Sequence, residues 1–294
     1  MSDYVPGLAG IPAAESSISF VDGEKGVLEY RGINVTELVK HSTFEEVCYL
    51  LLWGALPNQE ELDIFTKELA ERRDIEPEIL KLAESMPRHG HPMNALQSLV
   101  SALGTLYPAR DVESPRVQRE TSLRLIAQLP TLIAFLHRRR QEEDFIRPQA
   151  ELSTAENFLT MLRGSKPDPV EVKIFDAALI LHADHTLNAS TFTARVIGST
   201  LSDGFSVIAG ALGSLFGRLH GGANEAVLNM LDDMENEKEV RAKTEAMIAA
   251  KQKIMGVGHR VYQVKDPRAY LLQEMAENLF EKMGSSPLYE RAKV

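Results

Sequence analysis

Residues 168–190 read DPVEVKIFDAALILHADHTLNAS, and this stretch decides the fold class. Asp168 followed by Pro169 is a helix opening, because the aspartate can accept from an early backbone N–H and proline at the first position gives up nothing. Val170, Ile174, Ala178 and Leu181 then recur at three- and four-residue spacing, which predicts a helix with one apolar stripe. The stripe runs on to His185 and predicts an inward-facing histidine.

The same grammar repeats on either side. Ser42 with Glu45 forms an S-x-x-E box ahead of Val47, Leu50 and Leu51, and Gly54 and Pro57 close that helix. Asn58 with Glu61 opens a helix carrying Leu62, Phe65 and Leu69. Pro92 opens one carrying Met93, Leu96, Val100 and Leu103. Ser114-Pro115 starts a helix toward Arg140, striped by Ile126, Leu129, Ile133 and Leu136, which Pro130 is expected to kink or divide. Ser153 with Glu156 begins another, stopped by Gly164. Asp203 to Arg218 is a buried helix in which Gly210, Gly213 and Gly217 let a neighbouring backbone come close. Asp266-Pro267 caps a last helix with Leu271, Leu272, Met275 and Leu279. The one clear β signal is Ser17 to Gly32, where Ile18 and Phe20 alternate with polar residues, Asp22-Gly23 turns, and Val27, Leu28 and Tyr30 follow. The expected fold is therefore all-α, in two unequal helical parts with a small N-terminal β-hairpin.

Bulk properties agree with a packed intracellular protein. The 294 residues are 44% hydrophobic and 25% charged, which excludes both a disulfide-stapled mini-protein and a disordered chain. Thirty-two Lys and Arg against 42 Asp and Glu give a net charge of −10, so no broad nucleic-acid or anionic-membrane footprint is expected. Cys48 is the single cysteine and sits in an apolar stretch, which suits a reducing compartment. The N-terminus lacks signal- or transit-peptide character and Phe205 to Gly217 is too short to span a bilayer; the expected location is the cytoplasm. After Gly221-Gly222 the composition turns charged from Asp232 to Lys253. This predicts a large domain over 1–221 and a smaller one over 222–294.

Three segments could carry chemistry. In HADHTLNAST (182–191), His182, His185 and Asp184 invite a metal, yet the chain has no HExxH pair, no thiolate set and no carboxylate three residues before a histidine. A packed histidine pair is the plainer alternative. In LHGGANE (219–225), His220 precedes two glycines whose missing side chains let a ligand lie against backbone; a helix end followed by a loop is the plainer reading. In GVGHRVYQVKDPR (256–268), a glycine pair precedes His259 and Arg260, and Arg268 begins a helix where its planar guanidinium could hold a carboxylate bidentately or simply pair with a nearby Glu. Together they suggest a small anionic substrate with proton transfer at a carbonyl. His41, His89, His91 and His137 lie among loop or surface residues and read as solvated or locally hydrogen-bonded.

Over its whole length the sequence resembles citrate synthase. The resemblance is carried by GLAGIPAAESSISFVDGEKGVLEYRG, FEEVCYLLLWGALP, HADHTLNASTFTAR, LHGGANE and GVGHRVYQVKDPRA, in that order. It implies a two-domain helical acyltransferase, a homodimer or higher homo-oligomer, condensing oxaloacetate with acetyl-CoA and water to citrate and CoA, in the manner of the tricarboxylic acid cycle enzyme. It further implies that His220 stabilises the enol of acetyl-CoA, that His259 polarises and protonates the oxaloacetate ketone, and that His185 and Arg268 hold oxaloacetate. The same resemblance implies that Ser190 orients His220 and that Gly256, Val257 and Gly258 receive the CoA adenine. No cofactor or metal is implied, acetyl-CoA being a substrate, and neither nucleic acid nor membrane is an expected partner.

Three departures from the family pattern qualify this expectation. Thr186 stands where many relatives have Glu, and Gln263 where Lys or Arg is usual. The family's catalytic carboxylate and further substrate arginines lie well downstream of the GHRVY segment, beyond Val294. The resemblance therefore implies that the 294-residue chain is inactive or nearly so, with residues after about 222 the more mobile part. Two alternatives stand beside this reading: a 2-methylcitrate synthase, separated only by a methylene's worth of pocket discrimination, and a non-catalytic structural or regulatory subunit.

Overall fold

A computed structural model describes residues 13–108, 111–258 and 261–294. Three short antiparallel strands come first: β1 (Ser19–Asp22), β2 (Val27–Tyr30) and β3 (Ile33–Asn34), with Ser19 opposite Tyr30 and Asp22 opposite Val27. Helices follow: α1 (Val35–His41), α2 (Phe44–Trp53), α3 (Gln59–Ala70), α4 (Pro77–Ser85), α5 (Pro92–Leu106), α6 (Pro115–Arg140) and α7 (Thr154–Arg163). The second half holds α8 (Pro169–His182), α9 (Ala189–Gly198), α10 (Gly204–Phe216), α11 (Gly222–Asp232), α12 (Glu237–Ala249), α13 (Pro267–Met283) and α14 (Pro287–Lys293). The all-α expectation with an N-terminal hairpin holds.

Most helix starts fall where the capping residues put them. Asn58, Ser153, Asp168 and Asp203 all accept from backbone N–H groups of the helices they open, and Gly54 and Gly164 close theirs in the left-handed region. The box expected at Ser42 and Glu45 lies one residue later, at Thr43 and Glu46, and Ser42 instead ends α1. Glu45 is unavailable as a capping partner because it is buried, accepting from the Thr154 N–H at 2.7 Å. Pro130 does not divide α6, which runs unbroken to Arg140.

Two cores dominate. Leu99 and Leu103 of α5, Leu132 and Phe135 of α6, and Phe205 and Leu212 of α10 belong to one. Leu28 and Tyr30 of β2, Val35 and Leu38 of α1, Val47 of α2, and Ile180 and Leu181 of α8 belong to the other, with Leu271, Leu272 and Met275 of α13 packed against it. A separate small cluster of Leu231, Met234 and Val240, backed by Leu288, is built wholly from residues after 222. The glycines of α10 serve packing within the chain. A side chain on Gly210 would run into Ile197 of α9, and one on Gly213 would lie 2.6 Å from the Gln97 amide of α5. Among the described residues no helix is long and apolar enough to cross a membrane.

Carboxylates tie three helices together end to end. Asp176 of α8 accepts from the Phe44 N–H at 3.2 Å, at the start of α2, and Glu45 of α2 does the same for α7. Burial, reinforced by the Glu45 charge, pushes the Asp176 carboxyl up to about 6. Cys48 is buried beside them, and desolvation together with both carboxylates drives its thiol far above the ordinary range.

Because the folded Asp176 binds its proton more tightly than an unfolded aspartate, its ionisation opposes folding: the contribution of this one group to stability is fully present below about pH 4 and is lost as pH rises through about 6. Asp176→Asn keeps an acceptor for Phe44 and removes that decline. It should gain about 1 to 2 kcal/mol at pH 7, a figure discounted for partial solvent access, with no gain at pH 4. Melting temperatures of both proteins from pH 4 to 7.5 check this; parallel curves would contradict it.

Candidate active site

The loop from Ala183 to Asn188 carries the first histidine. α8 ends at His182, so His185 lies beyond the helix whose stripe pointed to it, and the buried residues near that end are Ala177, Ile180 and Leu181. The loop is shaped by local hydrogen bonds: Thr186, at φ 56°, donates its N–H to Asp184 Oδ1 at 2.9 Å and to Ser19 Oγ at 3.0 Å. The Ser19 hydroxyl itself donates to Asp184. Asp184 is thus spent on backbone, and His182 turns its Nδ1 to the Ala178 carbonyl, 2.6 Å away. Among the described residues no group of three or more His, Cys, Asp or Glu side chains gathers as a metal site.

His220 is presented by the turn between α10 and α11. Its N–H donates to the Gly217 carbonyl at 2.8 Å, and its Nε2 makes a 2.9 Å hydrogen bond with Ser190 Oγ in the first turn of α9. The glycines after it are required by space. A side chain on Gly221 would lie 2.6 Å from the Leu215 carbonyl oxygen, and one on Gly222 would lie 3.0 Å from that of Phe216.

Arg268 enters from the first turn of α13. Asp266 caps that helix and grips the guanidinium, taking Nε at 3.0 Å and Nη2 at 2.6 Å. Burial alone would raise the Asp266 carboxyl and lower the Arg268 guanidinium, but their pairing outweighs it in both, so the acid sits low and the base high. Both stay charged at neutral pH. One edge of the expected bidentate clamp is therefore already occupied, and a substrate carboxylate would have to meet the other.

These side chains share one cleft of about 690 Å³, lined by His182, Asp184, His185, Ser190, His220, Asp266 and Arg268 among others. The sequence reading missed three contributors. Asn188 and Asn224 add amides to the lining. Tyr262 hydrogen-bonds His185 Nε2 at 3.2 Å, with its phenol raised first by burial and then by the Asp266 charge. Its place in the quoted GHRVY run was the only available signal. Gly256 and Gly258 both have positive φ, and Val257 between them is 67% exposed; this segment flanks α11 at Val227 and does not line the cleft. His259 lies outside the described residues.

A sequence profile described as "Citrate synthase, C-terminal domain" matches residues 7–294. The chain belongs to the citrate synthase family. It is 51% identical to the citrate synthase of Synechocystis over 289 residues, 98% of this chain and 73% of that one. With the citrate synthase of Deinococcus radiodurans it shares 44% identity, covering 99% of this chain and 77% of the other. The solved citrate synthase of Thermotoga maritima superposes with a TM-score of 0.85 at 39% identity, covering 98% of this chain and 76% of that structure. That of Thermoplasma acidophilum, a ternary complex with carboxymethyl coenzyme A and oxaloacetate, superposes at 0.90 with 30% identity, covering 97% of this chain and 75% of that structure. These citrate synthases thus match this chain over nearly its whole length, while it spans about three quarters of theirs.

If the turn after α10 sets the place of His220, then Gly221→Ala forces the Leu215 carbonyl aside. Overpacking of this kind costs about 1 to 3 kcal/mol, and it should also break the hydrogen bond between His220 and Ser190. A lowered melting temperature together with a shifted His220 imidazole resonance is the expected result; an unchanged resonance would show that the turn has slack.

Proposed function

We propose that the chain condenses oxaloacetate with acetyl-CoA and water to citrate and CoA through an enol intermediate. The observation that carries this reading is the single cleft in which His220, held by Ser190, faces the elements bearing His185 and Arg268. A thioester methyl is a far weaker acid than any carboxyl group, so its proton leaves only if the enolate oxygen is stabilised as charge develops. When the Ser190 hydroxyl donates to His220 Nε2, the imidazole proton resides on Nδ1, and a neutral N–H donor is fixed for the thioester oxygen. Ser190 is thereby an orienting residue and His220 a catalytic one.

His185 and Arg268 hold oxaloacetate, and His259 polarises and protonates its ketone. Gly256, Val257 and Gly258 receive the CoA adenine, a reading supported by the exposed Val257 side chain and by the positive φ of the glycines on either side of it. Imidazoles and a carboxylate suffice for the condensation, so neither metal nor cofactor takes part. Residues 1–221 form the large domain and 222–294 the small one, a division supported by the separate cluster around Leu231 and Val240. The protein works in the cytoplasm as a homodimer or larger homo-oligomer. Its large-domain helices keep exposed apolar side chains, such as Ile133 of α6 and Val196 of α9, for that contact.

The carboxylates of the cleft bear on turnover. Asp184 holds Ser19 and Thr186, and Asp266 holds Arg268, so neither stands ready to take a methyl proton. The 294-residue polypeptide alone should therefore bind oxaloacetate but release thiol from acetyl-CoA slowly. General-base catalysis is worth about 100- to 10,000-fold. Turnover at the rate of the longer relatives, abolished by Asp184→Asn, would make Asp184 the base instead.

In a chain extended to the relatives' length, His220→Ala should lower kcat about 100- to 1000-fold, the usual cost of one oxyanion donor. Arg268→Ala should instead raise the KM for oxaloacetate, with a smaller change in kcat. Steady-state thiol-release kinetics check both. Unchanged turnover in the His220 variant would overturn the central assignment.

A further inference from the structure

The N-terminal hairpin touches both segments that meet at His185. On one side, Ser19 and Tyr30 face each other across β1 and β2 and are both directed at the end of α8 and the loop after it. The fully buried Tyr30 hydroxyl lies 3.0 Å from the carbonyl oxygens of Ile180 and Asp184, and it accepts the Asp184 N–H at 3.3 Å. Ser19 receives the Thr186 N–H and donates to Asp184. His185 therefore stands between two residues whose backbones are tied to the hairpin. Burial pushes the Tyr30 phenol up to about 12, so it remains a donor across the working pH range.

At the other end, the hairpin turn presses on the segment that carries Tyr262. The Gln263 N–H donates to the Gly23 carbonyl at 2.9 Å. A side chain on Gly23 would overlap the Val261 carbonyl oxygen, and one on Gly26 would lie 2.9 Å from Val264. Gly23 has an ordinary backbone conformation, so close approach alone demands glycine there. The hydrogen bond of 3.2 Å between His185 and Tyr262 thus joins two segments that the same hairpin holds, one through its strands and one through its turn.

We propose that the hairpin is a positioning element for the oxaloacetate half of the cleft, in which Ser19 and Tyr30 set the His185 loop and Gly23 sets the 261–265 segment against it. The identity of the ligand rests on the proposed function; the positioning of His185 does not. None of the three touches substrate. Each acts by deciding where His185 stands relative to Tyr262 and Arg268.

The test uses the 294-residue protein and two variants, Ser19→Ala and Gly23→Ala, with Ser19→Thr as the conservative control. Calorimetry reads oxaloacetate and acetyl-CoA binding, and nitrogen-15 spectra read the imidazoles of His185 and His220 without ligand. Ser19→Ala should weaken oxaloacetate binding about 3- to 10-fold, the worth of one net hydrogen bond. It should also move the His185 signal, while acetyl-CoA binding and the His220 signal stay as they were, and Ser19→Thr should restore both. Gly23→Ala should produce the same pattern from the other side. Equal effects on both histidines and both ligands would mean general loosening and overturn the proposal, as would an unmoved His185 signal in both variants. If the unaltered protein binds no oxaloacetate, the functional reading fails, and the His185 signal still judges the hairpin.

Discussion

The close antiparallel approach of α10 to α9 is the constraint on which the site depends. A short connection, residues 199–203, returns the chain so that the start of α9 and the far end of α10 lie side by side. Ser190 is in the first turn of α9 and His220 is just past the last turn of α10, so their hydrogen bond spans this end of the pair. Gly210 lets the helices approach at the side chain of Ile197, and Gly213, one turn further on, does the same for α5 at Gln97. Helices separated by full-sized side chains stand about 8 to 10 Å apart, and each added methyl group at the contact widens that gap. A 2.9 Å hydrogen bond at the end of the pair tolerates little widening.

The helical architecture was readable because capping is local chemistry. A side-chain oxygen and the backbone N–H it serves are two or three residues apart, so Asn58, Ser153, Asp168 and Asp203 announce their helices without any tertiary information. The misplacement at α2 shows where that stops. Ser42 and Thr43 are both capping residues, and Glu45 and Glu46 are both possible partners. What separates them is that Glu45 is needed inside, at the N-terminus of α7, more than a hundred residues away in sequence. α1, α4 and α14 escaped notice for a related reason, being short helices that carry only seven to nine residues each. α9 was read for its chemistry alone.

The site divides along the same line. His220 and Ser190 are marked by the motifs they occupy, and a hydrogen bond of 2.9 Å joins them. The stripe of α8 pointed to His185, but the helix ends at His182 and the histidine stands half-buried in the loop beyond it, at the cleft. The grip of Asp266 on Arg268 is local, two residues apart, and follows from the cap. Tyr262 and Tyr30 were invisible as partners of the His185 loop because a hydroxyl carries no directional signature in sequence. Tyr30 lies 154 residues from Asp184, whose carbonyl it meets. Only the folded chain brings such pairs together.

The cleft is not a basic pocket. Taken with neutral imidazoles, the described lining residues carry one cation, Arg268, and two carboxylates, Asp184 and Asp266. A substrate with two carboxylates cannot be held there by net charge, least of all in a chain of net charge −10. On the proposed reading directed donors do it instead, and the cleft lining offers the outer edge of Arg268, the His185 ring and the amides of Asn188 and Asn224. Donors of this kind discriminate by geometry more than by charge, since each is worth its full strength only when an oxygen sits on its axis. Hence the position of His185 matters more here than it would in a strongly basic pocket. A loop held by strained backbone at Thr186, by Asp184 and by the hairpin is a reasonable expense of structure for one imidazole.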